Sequence, residues 1–263
     1  MTDHAPLLRL SWLLAGLTIG SQILWVLVSG GVRDLFTVAG VVLFFLTSVT
    51  HSLATQPLAW TVRFFAVTLS FGWVIEAVGT GTGFPFGAYE YTADGLGPSL
   101  GAVPAVIPLA WAMMGYPVYV IVARACHSAT ARVALAAVLL ASWDLFLDPQ
   151  MVSEGHWAFA DPTPALPGVP GIPLSNFAGW LLATAIVMTL VELIAGPPAP
   201  PVDLRSPVAL MLAWVYASNV LANAVFFGRP VVALIGAVGM GVPLAFVIRG
   251  LRRDASSELV VDR

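Results

Sequence analysis

Eight stretches of this chain are almost free of charge, at roughly 7–29, 34–53, 61–79, 102–126, 129–148, 174–196, 206–227 and 230–250. About 20 apolar residues is the length an α-helix needs to cross the hydrocarbon core of a bilayer. Lipid offers no water to backbone N–H and C=O groups, so a segment inside it must satisfy them as a helix or within a closed barrel. The period-two alternation of barrel strands is missing. The expected fold is all-α: a polytopic membrane helix bundle of about eight transmembrane helices, one domain over 1–263, with no internal repeat. Composition agrees, with 59% hydrophobic and 10% charged residues, where a soluble domain is about a quarter charged. So few charges cannot cover a water-facing surface, which excludes a soluble enzyme, a nucleic-acid-binding domain and a disordered chain. The first apolar run is long enough to span and stay, rather than to serve as a cleaved leader.

All 11 basic residues are arginine, and their placement predicts orientation. With eight spans, one side collects Arg9, Arg63, Arg124, Arg132, Arg205, Arg249, Arg252, Arg253 and Arg263, and the other only Arg33 and Arg229. Cytoplasmic loops carry the excess of basic residues, so both termini are expected in the cytoplasm of a multi-pass cell-membrane protein. Two long connections, 80–101 and 149–173, then face outward; both are rich in Gly, Pro and aromatic residues. The proline-rich stretch 196–207 reads as a stiff cytoplasmic connector. Pro104, Pro108 and Pro117 predict a fourth span that is kinked or partly unwound, with carbonyls in need of other partners.

An ionisable side chain inside the bilayer is costly, so each one that is kept needs a reason. The candidates are Glu76, Asp144, Asp148 and Glu192. Glu192 sits beside the connector and reads as a solvated end residue. Asp144 and Asp148 are one helical turn apart and share a face, and Pro149 is expected to end the helix after them. Like charges so close disfavour joint ionisation, so the pair is expected to hold one proton at neutral pH, which suits a general acid. The plainer alternative is that Asp148 caps a helix end while Asp144 pairs with an arginine or a backbone group. Glu76 shares a helix face with Trp73; GTGTG (79–83) then reads as a flexible break, followed by Glu90 between Tyr89 and Tyr91. Those tyrosines alone read equally as an interfacial aromatic belt. Asn176 and Trp180 open the sixth span four residues apart. Tyr216, Asn219 and Asn223 share a face of the seventh, where amides often only join helices.

No cofactor or metal is expected. Cys126 is the sole cysteine, which leaves no thiolate cage. The four histidines are scattered, which disfavours a membrane di-iron site, and there is no nucleotide-binding glycine motif. What is left is an outward-half cavity of carboxyls and aromatic rings. That suits proton-driven chemistry on an apolar substrate, with ring faces able to stabilise a cation.

Four segments carry a resemblance: FGAYEYT (86–92), VPAVIPLAWAMMGYP (103–117), WDLFLDPQMVSEGHWAF (143–159) and GIPLSNFAGW (171–180). Together they resemble the carotenoid biosynthesis membrane protein family, the group of γ-carotene 1′-hydratases and haloarchaeal bisanhydrobacterioruberin hydratases. The resemblance implies cofactor-independent hydration of the terminal double bond of an acyclic or monocyclic carotenoid, giving a tertiary alcohol. It also implies a site in the extracytoplasmic half and other carotenoid-pathway membrane enzymes as possible neighbours. By position in the matching segments, Asp144 and Asp148 would be the acid and water-positioning pair, in either order, with Glu76 able to replace one of them. Trp73, Tyr89, Glu90, Trp111, Trp143, Trp157 and Trp180 would line the cavity, and Asn176 would orient water or the acid. Phe159, where a second Trp is expected, and the tyrosine-free stretch 161–173 depart from the family pattern. Two rivals stay open: a carotenoid prenyltransferase or elongase using the DxxxD spacing to hold Mg²⁺ and a diphosphate, and a non-enzymatic carotenoid-binding or transport protein.

Overall fold

The computed structural model describes residues 4–92 and 95–261, with side chains as far as Arg253. Eight helices run through the described residues: α1 (Ala5–Leu27), α2 (Gly31–Thr55), α3 (Leu58–Thr82), α4 (Val106–Ala125), α5 (Ala129–Ser153), α6 (Leu174–Ile194), α7 (Pro207–Leu221) and α8 (Pro230–Val261). A π-helical turn, Ala222–Phe226, prolongs α7. Each of the eight, α7 with its π turn, is long and apolar enough to cross a membrane.

Helix α4 is the hub. It is apolar on every side, as a helix surrounded by others must be, and it packs against α2, α3, α5, α7 and α8. Tyr116, Tyr119, Met114, Val118 and Val120 are fully buried along it.

Proline does not unwind this hub. Helix α4 starts only at Val106, with Pro104 in β3, and runs through Pro117 without a break, so the span is helical at Pro117 where it was expected to be kinked or partly unwound, while the expected need of a freed carbonyl for another partner is met. Pro117 has no N–H for the carbonyl of Met113, four residues back; the Ser48 hydroxyl of α2 donates to that carbonyl instead, at 3.0 Å. The same substitution recurs in α8, where Pro243 frees the carbonyl of Gly239 and the Ser142 hydroxyl of α5 donates to it at 2.9 Å. Two neighbouring helices therefore supply the donors that the prolines lack.

Helix α5 continues past Pro149 to Ser153, although the proline was expected to end it. Its last turn is held from outside: Arg229 donates to the Pro149 carbonyl at 2.9 Å and also to the Ser153 hydroxyl. A guanidinium at a helix C-terminus meets both the unpaired carbonyls and the negative end of the helix dipole. The following Glu154 pairs with Arg33 at 3.0 Å. Both arginines at this end are thus engaged away from the carboxyls of α5.

GTGTG is not a flexible break either. Helix α3 extends to Thr82, and only Gly83, at φ +78°, turns the chain, with its N–H on the Gly79 carbonyl at 2.7 Å. The two long connections then meet: β1 (Tyr89–Tyr91) pairs antiparallel with β4 (Trp157–Phe159). Two short ribbons flank this pair, β2 (Ser99–Leu100) with β3 (Val103–Pro104), and β5 (Ala165–Leu166) with β6 (Val169–Pro173). Together they roof one end of the bundle.

At the opposite end Glu192 is not simply solvated. It pairs with Arg132 and accepts from the Tyr119 hydroxyl at 2.7 Å. The 196–207 connector is pinned there by Gln56, which donates to the Pro200 carbonyl and accepts from the Ala199 N–H, both at 3.0 Å. The other arginines read from the sequence, except Arg33 and Arg229, belong to this end by chain order; Arg263 lies outside the described residues.

Candidate active site

The roofed end holds a cavity of about 80 Å³ among α2, α3, α4, α5, α6, β1 and β4. Its position follows from three glycines that let elements approach closely. A Cβ at Gly72 would meet Trp111 at 3.0 Å, one at Gly79 would meet the Tyr89 hydroxyl at 2.7 Å, and one at Gly179 would meet the Pro85 carbonyl at 2.6 Å. Any side chain there would push apart the walls that carry Trp111, Tyr89 and Phe86.

Three carboxyls belong to this site. Glu76 is 5% exposed, Asp148 3% and Asp144 0%. Glu76 and Asp148 line the cavity; Asp144 lies one turn behind Asp148. Glu76 is saturated with donors. Its Oε2 accepts from the Tyr89 hydroxyl at 2.5 Å and the Tyr91 hydroxyl at 2.6 Å, and its Oε1 accepts from Trp111 Nε1 at 3.0 Å. Burial first, and then the neighbouring Glu76 charge, push both tyrosine hydroxyls above their ordinary value, so they remain protonated donors.

The aspartates are joined by one amide. Asn176 Nδ2 donates to Asp144 Oδ2 at 2.9 Å and to Asp148 Oδ2 at 2.5 Å. Asp144 Oδ1 is buried with no hydrogen-bond partner among the described residues. Neither the arginine partner nor the helix-capping role weighed for these residues is what surrounds them.

Aromatic rings complete the wall. Trp111 and Trp180 stack at 4.5 Å between centroids with planes 3° apart, and Trp143 meets Trp180 edge-on at 6.3 Å. Strand register brings Tyr89 opposite Phe159 and Tyr91 opposite Trp157, with ring centroids 5.6 and 5.7 Å apart. Aromatic cross-strand pairs of this kind stabilise a two-stranded ribbon. Phe159, the departure from the family pattern, is therefore a lining residue.

Nine of the eleven residues singled out in the sequence meet here: Glu76, Tyr89, Trp111, Trp143, Asp148, Trp157, Asn176 and Trp180 line the cavity, with Asp144 behind. Two do not. Glu90 is exposed on the outer face of β1, because side chains alternate along a strand and Tyr89 and Tyr91 take the inner face. Trp73 is 37% exposed and donates weakly to the Leu100 carbonyl at 3.3 Å. The inward stripe of α3 is Phe65, Thr68, Gly72, Glu76 and Gly79, and Trp73 stands one residue round the helix from it. Tyr91 was missed as a site residue; the alternation in YEY was its signal, since it puts Tyr91 on the same face as Tyr89. Neither tyrosine belongs to an interfacial belt.

In the seventh span, Asn219 and Asn223 donate to carbonyls one turn back on their own helix, at 2.8 and 2.9 Å, and Tyr216 reaches Ala237 on α8 at 3.2 Å. They lie outside this cavity.

Fold and site define a multi-pass membrane protein with a carboxyl-bearing, aromatic-walled cavity at one end of its bundle. The model of a family described as "Carotenoid biosynthesis protein" matches residues 34–243. The chain belongs to the carotenoid biosynthesis protein family. It is 36% identical over 134 residues to the bisanhydrobacterioruberin hydratase of Haloarcula japonica, a match covering 48% of this chain and 43% of that relative. The chain thus matches less than half the length of this curated relative. No solved structure matches it.

Proposed function

We propose that this chain is a carotenoid hydratase that adds water across the terminal double bond of an acyclic ψ-end. The observation that carries the reading is the Asn176-bridged aspartate pair facing Glu76 across an apolar, aromatic-walled cavity. The kinship with a hydratase over part of the chain points the same way.

Asp148 lines the cavity and gives a proton to the less substituted alkene carbon. The π electrons form that C–H bond and leave a tertiary cation on the dimethyl-bearing carbon. The faces of Trp111, Trp180 and Trp143 and the carboxyl oxygens of Glu76 stabilise it. Water then adds to the cation and returns a proton to the aspartate pair, so alkene plus water gives a tertiary alcohol with no oxidant or reductant. Asp144, one turn behind, positions Asp148 through the Asn176 amide that donates to both. Tyr89 and Tyr91 keep Glu76 in place as an acceptor. A Mg²⁺–diphosphate site is poorly supported: an amide donor sits between the aspartates, and Arg33 and Arg229 are engaged elsewhere. The arginine distribution supports cytoplasmic termini and a site in the extracytoplasmic half of the cell membrane.

Expression in a bacterium that accumulates lycopene or γ-carotene, with pigments analysed by chromatography and mass spectrometry, tests the reaction. Gain of one water under anaerobic conditions, labelled when the medium contains heavy-oxygen water, is expected. Asp148→Asn should abolish it, and Asp144→Asn should slow it by roughly tenfold or more. Unchanged pigments on every ψ-ended substrate, with the protein inserted in the membrane, refute the reading. For orientation, Ser99→Cys in a Cys126→Ser background should react with an impermeant maleimide in intact cells. Labelling only after the cells are opened would reverse the assignment.

A further inference from the structure

A second and larger cavity, of about 480 Å³, adjoins the first between α1, α2, α4, α5 and α7. Six residues line both: Thr37, Val41, Met113, Trp143, Leu147 and Met151. The large cavity has about six times the volume of the small one. The first therefore has room for the reacting end of a long chain but not for the chain itself. A long substrate must continue somewhere, and the shared wall gives the direction.

The lining of the larger cavity is mostly apolar, including Phe36, Phe44, Trp25 and Phe227. Four of its lining residues are largely exposed on the outside of the bundle: Ile23 and Leu27 on α1, and Leu221 and Phe226 at the end of α7. The cavity thus opens between exposed apolar residues at the ends of α1 and α7. Where it does so, α7 is widened into the π turn Ala222–Phe226, a local irregularity that helices adopt chiefly at functional sites.

We infer that this second cavity seats the polyene chain behind the reacting terminus, and that the carotenoid slides in sideways from the bilayer between α1 and the π turn of α7. This rests on the hydratase reading for the identity of the reacting end. The occupant is a long apolar isoprenoid chain, held by apolar contact along its length while only its terminus meets the carboxyls. Substrate length is then read here, and reaction chemistry in the smaller cavity.

Ala217 and Ala222 line the larger cavity only, so Ala217→Phe and Ala222→Phe fill it without touching the carboxyl site. The wild-type chain and both variants are purified in detergent from lycopene-accumulating cells, and retained pigment is measured by absorbance. Hydration is followed on lycopene and on a short acyclic isoprenoid with the same terminal double bond. Both variants should retain less pigment and lose about tenfold or more in kcat/KM on lycopene, while turnover of the short substrate stays within about twofold and reports intact folding. Equal losses on both substrates, or unaltered pigment retention and lycopene turnover in both variants, overturn the polyene seat. A wild-type chain that hydrates neither substrate yet retains lycopene in a manner the substitutions abolish would defeat the hydratase reading and leave the seat standing. A wild-type chain that neither hydrates nor retains lycopene defeats both.

Discussion

Asn176→Leu removes the one donor that holds the two aspartates together. The amide makes two contacts, at 2.9 Å to Asp144 and 2.5 Å to Asp148, from a residue that is 2% exposed. Water is not at hand to replace it. A preorganised donor aimed at a reacting group is worth about 3 kcal/mol when lost, or roughly 10²-fold in rate. Leaving two buried carboxyls short of a partner costs a further 1–3 kcal/mol each in stability, as an order of magnitude. The expected outcome is a drop of about 10²-fold or more in product formed per unit of protein, together with a lower unfolding temperature in detergent. Asn176→Ser keeps a donor on a shorter side chain and should recover part of the activity. Because amide and aspartates act as one unit, the double variant Asn176→Leu/Asp144→Asn should be little less active than Asn176→Leu alone. Pigment chromatography against protein amount measures the rate, and thermal unfolding monitors the fold. Wild-type turnover by Asn176→Leu would refute the view that the amide organises the acid.

Tyr89→Phe and Tyr91→Phe each remove one donor from Glu76 Oε2, and each should lower turnover by about tenfold or more, with the double variant lower still; a Glu76 supported by Trp111 alone and fully active would contradict this. Ser48→Ala should destabilise the bundle by about 1–3 kcal/mol by orphaning the Met113 carbonyl, and adding Pro117→Ala should restore most of that loss by returning the missing N–H; thermal unfolding of the three variants in detergent decides. His156, buried in the roof with Asp34 Oδ1 at 3.9 Å, is pushed below its ordinary value of 6.5 by burial, which outweighs the opposing Asp34 charge. The unfolded chain then binds the proton more readily, so stability is complete above about pH 6.5 and falls as the pH drops towards the folded value. His156→Gln should flatten that acid limb in unfolding measured across pH 4–8, and an unchanged slope would exclude His156 as its source.

Much of this site could be read along the chain because the bilayer constrains each segment separately. A span must satisfy its own backbone and shed its charge whatever its neighbours do, so the eight helices and their isolated acids were visible one segment at a time. The three carboxyls stood out for the same reason: in a span, an acid without a role is too costly to keep. Other features depend on partners, and no local pattern carries them. The carbonyl that Pro117 frees and the last turn after Pro149 are met by Ser48 and Arg229, donors brought in from elsewhere in the chain. Trp73 and Glu90 looked like site residues by adjacency, but the rotation of α3 and the alternation of β1 turned both outward, while the same alternation turned Tyr91 in. That Asn176 would bridge Asp144 and Asp148 depended on how α6 docks on α5. The chain by itself determined what it must bury in lipid and which polar groups it kept there. The tertiary structure alone decided which of those groups face one another, because hydrogen bonding and close packing act across helices that hydropathy treats as independent.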